Sequence, residues 1–465
     1  MSGRARLPLA VRAWRAIPHE WMPFADAARG LPGARLFRLS LIQVSVGLAM
    51  VLLNGTLNRV MIVEIGIPTW QVALFIALPL LLAPLRALFG LKSDQHRSAF
   101  GWRRVPYIWF GSMALFGGLA LTPISLTLLT GTVAQAIAGR IGVLLAFFLI
   151  GMGIHVTQTA GLALACDLAP AKQRPRVVAL LYVVLLLAMA AGSLLFGATL
   201  SNFTYGTLFA TVGYCAIFVV ALNTVALWKQ EQRGSAPEEA PSVTLREAWR
   251  AFDRGGRARR LLVGVMLVTA GFNMQDVLLE PYGGEVLGLS VSQTTLLTAI
   301  WALATLCGFG LAARAMSRGV DNCLLATRGV LIGIPAFSLV IFAGPLVSTP
   351  IFVAGVALIG LGGGLASVSL LAAATALAES ERFGFAMGAW GTAQALAVGL
   401  AVGFGGALRD LVHAWAPFGG RPDLAYGFVY HLEILLLFCA LVALGPLVSR
   451  TRGARRGFGI EEFPA

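Results

Sequence analysis

At 465 residues, 58% hydrophobic and 12% charged, the chain carries about half the charge of a soluble domain, which excludes an ordinary soluble fold. The net charge of +14 does not indicate nucleic acid, because Lys and Arg gather in every second loop, as membrane topology requires. Cys166, Cys215, Cys307, Cys323 and Cys439 are scattered through apolar runs without a CxxC pair, so neither a disulfide framework nor a metal cluster is indicated.

Residues 1–38 are basic, lack a continuous apolar core of signal-peptide length, and alternate Arg with Trp14, Trp21, Met22, Phe24, Leu36 and Phe37. They read either as a segment on the cytoplasmic membrane surface or as a loose basic tail. Twelve apolar runs come next, each long enough to cross about 30 Å of hydrocarbon. They are spans 1 to 12, at about 39–63, 69–91, 105–130, 140–166, 176–201, 206–228, 261–282, 292–315, 323–347, 350–378, 384–410 and 426–448. The expected class is an all-α membrane protein of twelve transmembrane helices. A cytoplasmic N-terminus puts seven arginines before span 1 inside, along with Lys92, Arg97, Arg103, Arg104, Lys172, Arg174, Arg176, Arg314, Arg318, Arg382 and the arginines after 449. Arg59, Arg140, Arg409 and Arg421 are left outside, so both termini are expected in the cytoplasm.

Span 1 ends in Asn54-Gly55-Thr56-Leu57-Asn58-Arg59. After span 2 come Gly90, Asp94, Arg103 and Arg104, which resemble the span 2–3 signature of the major facilitator superfamily; the resemblance implies a latch in which the Asp and Arg clamp the inner ends of helices. The same arginines also serve as plain topology markers. Span 4 carries His155 and Gln158, three apart on one face. An imidazole there is either an axial ligand for a pigment magnesium, with Gln158 adding a hydrogen bond, or bonded to a neighbouring helix. The polar connection 229–260 divides the chain into six-helix halves, 39–228 and 261–448. It holds a Gly-Ser-Pro-Glu linker and a short amphipathic helix around Leu245, Trp249 and Phe252. The tail 449–465 is cytoplasmic by the same reading.

Span 7 carries the chemistry, in Asn273, Gln275, Asp276 and Glu280. Asp276 and Glu280 share a helix face, Pro281 is expected to break the helix there, and Gly283-Gly284 to loosen the turn beyond it. A carboxylate in hydrocarbon costs roughly 2.5–3.5 kcal/mol and is usually retained for a pathway or a partner. The halves repeat weakly. An offset of 222 pairs Asn54 with Asp276, Asn58 with Glu280, Gly66 with Gly288 and Gln71 with Gln293. Asn54, Asn58 and Arg59 are therefore expected opposite the span 7 group, with Arg59 either pairing a carboxylate or reaching the outer headgroups. Gly360-x-x-x-Gly364 and Gly399-x-x-x-Gly403 read as close helix packing. His413 and His431 fall towards the outer ends of spans 11 and 12 and read as interfacial. There is no catalytic triad, Walker loop or metal-spaced cluster, so an enzyme is not expected.

Several long motifs carry a resemblance: Leu39-Ser40-Leu41-Ile42-Gln43-Val44-Ser45-Val46-Gly47, Gly55 to Glu64, Arg104 to Gly111, His155 to Ala163 and Gln275 to Gly284. Together they resemble the PucC/LhaA family, a branch of the major facilitator superfamily found in photosynthetic bacteria. The resemblance implies the major facilitator fold of two six-helix halves in the bacterial photosynthetic membrane. It also implies a role in assembling light-harvesting antenna complexes, with bacteriochlorophyll as the bound pigment. The implied partners are antenna polypeptides (those of the core antenna before the peripheral one, from the tract Trp21 to Ala28), the reaction centre, the pigment synthase and the membrane insertase. Secondary transport, with Asp276 or Glu280 carrying a proton, and a pigment-free scaffold stand as alternatives.

Overall fold

The computed structural model describes residues 33–81, 102, 104–129, 131–169, 174–230, 256–377, 383–415 and 421–448. The latch residues Gly90, Asp94 and Arg103, the amphipathic helix of the 229–260 connection and most of both terminal segments lie outside these residues. Every regular element among them is a helix. Span 1 is Gly33–Met50 continued by π-wound turns at Val51–Leu57 and Val60–Glu64; spans 2 to 6 are Thr69–Leu81, Val105–Leu129, Val133–Leu168, Arg174–Thr199 and Tyr205–Leu227. Span 7 is Arg257–Asn273 succeeded by Met274–Val277 and Leu279–Glu285. Spans 8 to 12 are Val291–Ser317, Asn322–Ala343, Thr349–Leu377, Phe383–Ala414 and Pro422–Leu444. Eleven of these helices are long and apolar enough to cross a membrane, and the twelfth, Thr69–Leu81, is the described part of span 2. The chain is a multi-pass membrane protein. Span 4 starts seven residues before the hydropathy boundary, because Thr132 and Gln135 form a capping box that holds its first turn.

Contacts divide the chain into two units: Met1–Met50, Leu85–Ala188 and Phe209–Ser242 form the first; Val51–Pro84, Met189–Leu208 and Val243–Ala465 form the second. In the first, Leu39 and Ile42 of span 1 pack with Val105 and Ile108 of span 3, Leu164 of span 4, Leu181 of span 5 and Leu227 of span 6. Spans 3 and 4 approach at backbone distance: a Cβ on Gly118 would lie 2.6 Å from the Ala146 carbonyl, and one on Gly153 2.6 Å from the Leu115 nitrogen. Lipid gives no hydrophobic drive between helices, so small residues permitting such approach supply the packing. Asn223, fully buried, joins three spans. Its Oδ1 accepts from Ser45 Oγ at 2.7 Å and its Nδ2 donates to Ser112 Oγ at 2.8 Å. Ser112 Oγ donates to Ile108 O, and the single hydroxyl hydrogen of Ser45 is shared between Asn223 Oδ1 and Ile42 O. Each serine therefore retains a carbonyl of its own helix in Asn223→Ala, which is expected to cost only the interhelical bonds, about 1–2 kcal/mol, read as a lowered melting temperature in detergent.

In the second unit the repeat is visible in the backbone. Gly66 and Gly288, paired by the 222 offset, have φ of +75° and +66°, the left-handed region that glycine enters without a Cβ penalty. The chain then closes the same way in each half, with Ile67 N–H donating to Met61 O at 2.9 Å and Leu289 N–H to Gly283 O at 2.9 Å. The helices beyond these turns are capped differently. In span 8 the Ser290 side chain and Gln293 form a complete capping box. In span 2 the equivalent of Ser290 is Pro68, and the Trp70 N–H is instead taken by Asp410 Oδ2 of span 11 at 2.8 Å.

Candidate functional site

Span 7 is regular until Asn273, whose side-chain nitrogen bonds back to Thr269 O at 2.7 Å. It then tightens into a 3₁₀ turn over Met274–Val277 and resumes as a helix at Leu279. The break therefore precedes Pro281 rather than falling on it. A proline ring excludes the carbonyl four residues earlier, here Val277, so the chain leaves α geometry before it. Pro281 then sits in the first turn of the new segment, where its missing N–H costs nothing. The equivalent stretch of span 1, around Asn54, is wound wide instead of tight. Gly283 and Gly284 stay helical, contrary to the loosening expected of them. Their lack of a Cβ makes room, since one on Gly284 would lie 3.1 Å from Arg59 Nε.

The break brings five of the expected residues together: Asn54, Asn58, Gln275, Asp276 and Glu280. Asp276 Oδ1 accepts from Gln275 Nε2 at 2.7 Å, and Asp276 O accepts from Asn58 Nδ2 at 3.3 Å. Asn58 Nδ2 also donates to Asn54 O at 3.1 Å. Glu280 is 6% exposed; one carboxylate oxygen accepts from Thr298 Oγ1 of span 8, and a Cβ on Gly55 would lie 3.0 Å from it. Thr56 and Thr295 meet at 3.2 Å beside them. Spans 1, 7 and 8 are thus in direct contact here, with the span 7 group and its span 1 counterpart touching across no gap.

Arg59 makes no salt bridge with Asp276 or Glu280, although its charge is an electrostatic neighbour of Glu280, and it does not reach outward. At 4% exposure it bonds Glu64 and donates to Leu289 O at 3.0 Å. The two side chains are five apart, which the wide winding of span 1 accommodates. His155 and Gln158 lie in span 4 and belong to the first unit; both are half-buried. Arg104, also in the first unit, pairs with Asp167 at 3.0 Å. His413 ends span 11 as expected, but His431 does not sit near an end: it is well inside Pro422–Leu444, about 13 Å along its axis.

Sequence reasoning missed Glu433 of span 12, although an acid inside an apolar run is the signal it used for span 7. Glu433 is sealed from solvent with no side-chain partner at hydrogen-bond distance, and its polar neighbours are the Asp276 carboxylate, the backbone N–H of Gln275 and the Tyr430 hydroxyl. Gln275 Oε1, Asn58 Oδ1 and the second Glu280 oxygen are likewise buried without a partner. Unpartnered acceptors outnumber the unpartnered donors here, which are Tyr430 OH and Arg59 Nε, so the group has capacity for something that brings hydrogens: a proton, an ammonium or a hydroxyl. Among the described residues no cluster of three or more His, Cys, Asp or Glu is placed to hold a metal.

A second network is visible in the sequence only as a loop charge. Arg409 bonds Glu285 and donates to Asp410 at 2.9 Å, and its guanidinium lies 4.6 Å from the centre of the Tyr426 ring. Tyr426 OH donates to Glu285 at 3.1 Å. Tyr282, which anchors the resumed helix of span 7, packs against Tyr426, Tyr430 and Phe352 with ring centres 5.4–5.7 Å apart and donates to Val340 O at 3.0 Å.

The model of the family described as "PUCC protein" matches residues 56–452. The chain belongs to the PucC family. A protein named PucC from Rhodovulum sulfidophilum is 48% identical over 414 residues, covering 87% of this chain and 91% of its own. An "uncharacterized protein in puhA-bchM intergenic region" of Rhodobacter capsulatus is 49% identical over 462 residues, covering 96% and 97%. A more distant relative from Rhodobacter capsulatus, named "Bacteriochlorophyll synthase 44.5 kDa chain", is 29% identical and covers 91% of this chain and 97% of its own. Among solved structures, an auto-inhibited peptide transporter of the POT family superposes with a TM-score of 0.67 over 93% of this chain and 99% of its own, at 14% identity. That likeness concerns the fold alone, which is the twelve-helix major facilitator fold.

Proposed function

We propose that this PucC-family protein is an assembly factor for light-harvesting antenna complexes that holds bacteriochlorophyll in the membrane and hands it to nascent antenna polypeptides, those of the core antenna first. The observation that carries the reading is family membership over almost the whole chain, with a relative named for bacteriochlorophyll synthesis. Physical chemistry favours a membrane carrier. Each buried CH₂ of a pigment tail is worth about 0.8 kcal/mol, so release into water is far costlier than lateral transfer between helices. The broken span 7, with Asn273, Gln275, Asp276 and Glu280 facing Asn54, Asn58 and Arg59, is the polar locus such a carrier would use. In the same reading the termini are cytoplasmic, and the antenna polypeptides, the reaction centre, the pigment synthase and the insertase are the partners.

The test is purification in mild detergent from a pigment-producing host, then an absorption spectrum and identification of the bound polypeptides. Pigment and antenna chains in the preparation support the reading; a clean colourless monomer from cells rich in antenna rejects it. A finer test separates charge from packing. Glu280→Gln keeps the acceptor for Thr298 and is expected to shift stability by less than about 1 kcal/mol. It is nevertheless expected to lower antenna accumulation markedly, measured as near-infrared absorption per cell. Normal antenna levels in Glu280→Gln and Asp276→Asn cells would remove these carboxylates from the mechanism.

A second reading is proton-coupled transport of a small molecule, favoured by the unpartnered oxygens around Glu433 and by the transporter fold. A deletion strain with normal antenna but altered uptake or efflux supports it over assembly.

A further inference from the structure

Glu433 is a buried acid that the pigment-holding reading leaves unused. It is the central residue of Pro422–Leu444, on the face that also buries Tyr426, Tyr430, Leu437 and Ala440. Span 7 comes close to it there: a Cβ on Gly271 would lie 2.9 Å from Leu437 Cδ2 and 3.4 Å from the Glu433 carbonyl oxygen. The tight turn that opens at Met274 then brings Gln275 and Asp276 beside the Glu433 carboxyl. An ionisable group inside a membrane helix is functional by default, and its surroundings say what it binds.

Size narrows the choice of ligand. Glu433 is 0% exposed, so nothing as large as a water molecule has room against it, and an ammonium or a hydroxyl is too big. Charge narrows it further. Among the described residues no lysine or arginine is an electrostatic neighbour of Glu433, and the charged group that is one, Asp276, has the same sign. Tyr430 OH beside it is buried, neutral and not at hydrogen-bond distance, so it does not balance a carboxylate. An unpaired buried charge is strongly disfavoured, and two neighbouring carboxylates cannot both hold one. An un-ionised carboxyl removes the charge and needs an acceptor for its O–H. Gln275 has one to give. Its Nε2 donates to Asp276 Oδ1 at 2.7 Å and to Phe272 O at 3.3 Å, which leaves Oε1 buried and without a partner.

We propose that Glu433 and Asp276 form a proton-binding site that holds one proton, on Glu433, with Gln275 Oε1 as the acceptor for its O–H. Binding makes one O–H bond from a carboxylate lone pair and breaks no bond within the protein. The proposal deepens the proton-coupled reading and moves its centre from Glu280 to Glu433. Asp276 is half-buried where Glu433 is sealed, so the site meets water on the Asp276 side.

The test is infrared spectroscopy of the full-length protein in mild detergent at neutral pH, where a protonated carboxyl shows a C=O stretch that a carboxylate lacks. Wild type is expected to show the band and Glu433→Gln to lose it, with an unchanged melting temperature because one neutral group replaces another. Asp276→Asn is expected to shift the band without removing it. A second measurement leaves position 433 untouched: in Glu280→Gln protein carrying glutamate labelled with ¹³C at the side-chain carboxyl, the band is expected to move to lower frequency. No band in wild type, a band that Glu433→Gln retains, or one that the label does not move overturns the proposal. Loss of the band in Asp276→Asn puts the proton on Asp276 and also overturns it. Transport is read separately, from uptake and efflux in the deletion strain. The band with no transport change upholds the proton site and removes proton-coupled transport; a transport change without the band leaves transport standing and overturns the site.

Discussion

Arg409→Met is expected to cost about 3–5 kcal/mol of stability, read as a large drop in melting temperature for the purified protein. Arg409 is 7% exposed and meets Glu285, Asp410 and the face of Tyr426. Removing it leaves the Glu285 carboxylate beside a buried tyrosine with its cation gone, and the uncompensated charge is what makes the single change expensive. The double variant Arg409→Met/Glu285→Met removes both charges and is expected to recover much of the loss, although Asp410 still loses one partner. A double variant as unstable as the single one would mean that packing on Tyr426, rather than the ion pair, holds spans 7, 11 and 12 together.

Gly364→Leu is expected to abolish the folded protein in detergent, while Gly310→Leu is tolerated. A Cβ on Gly364 would lie 2.5 Å from Thr305 O, and one on Gly308, on the facing helix, 2.5 Å from Leu361 O and 2.8 Å from Leu365 N. The obstacles are backbone atoms of spans 8 and 10, which cannot rotate aside. The overpacking cost therefore sits at or above the upper end of the usual range of about 1–3 kcal/mol. Gly310, on span 8 two residues beyond Gly308, is exposed with nothing within 4 Å of its Cβ position. Fluorescence-detected size exclusion of the two variants makes the comparison, and equal yields would show that the interface has slack.

Hydropathy makes the twelve spans legible because each is a continuous apolar run, and no tertiary information is needed to see one. The break in span 7 is legible from Asp276, Glu280 and Pro281, though the sequence places it a few residues late. A proline acts on the carbonyl four residues before it, and sequence shows only the ring. Two kinds of feature escape. The pairing of Arg59 with Glu64 depends on wide winding, which no 3.6-residue pattern anticipates. The Ser45, Asn223 and Ser112 bonds and the Arg409 network join residues of two or more spans. Arg409 reads as a solvated loop charge because a charge near a span end is equally at home in water or in a buried pair. Glu433 is within reach of the rule that finds Asp276, since both are acids inside apolar runs. His431 reads as interfacial because the hydropathy boundary of span 12 falls four residues inside the helix start at Pro422.

The proline at position 68 leaves a mark beyond its own loop. Gln71 corresponds to Gln293, whose side-chain oxygen accepts from the Ser290 N–H at 2.9 Å. Pro68 has no N–H to offer, and Gln71 Oε1 is buried with no partner. The glutamine is thus half of a clasp whose mate has been lost, and the start of span 2 is held by Asp410, more than three hundred residues downstream. One copy of the duplicated turn remains self-sufficient, while the other has become a dependant of the far end of the chain.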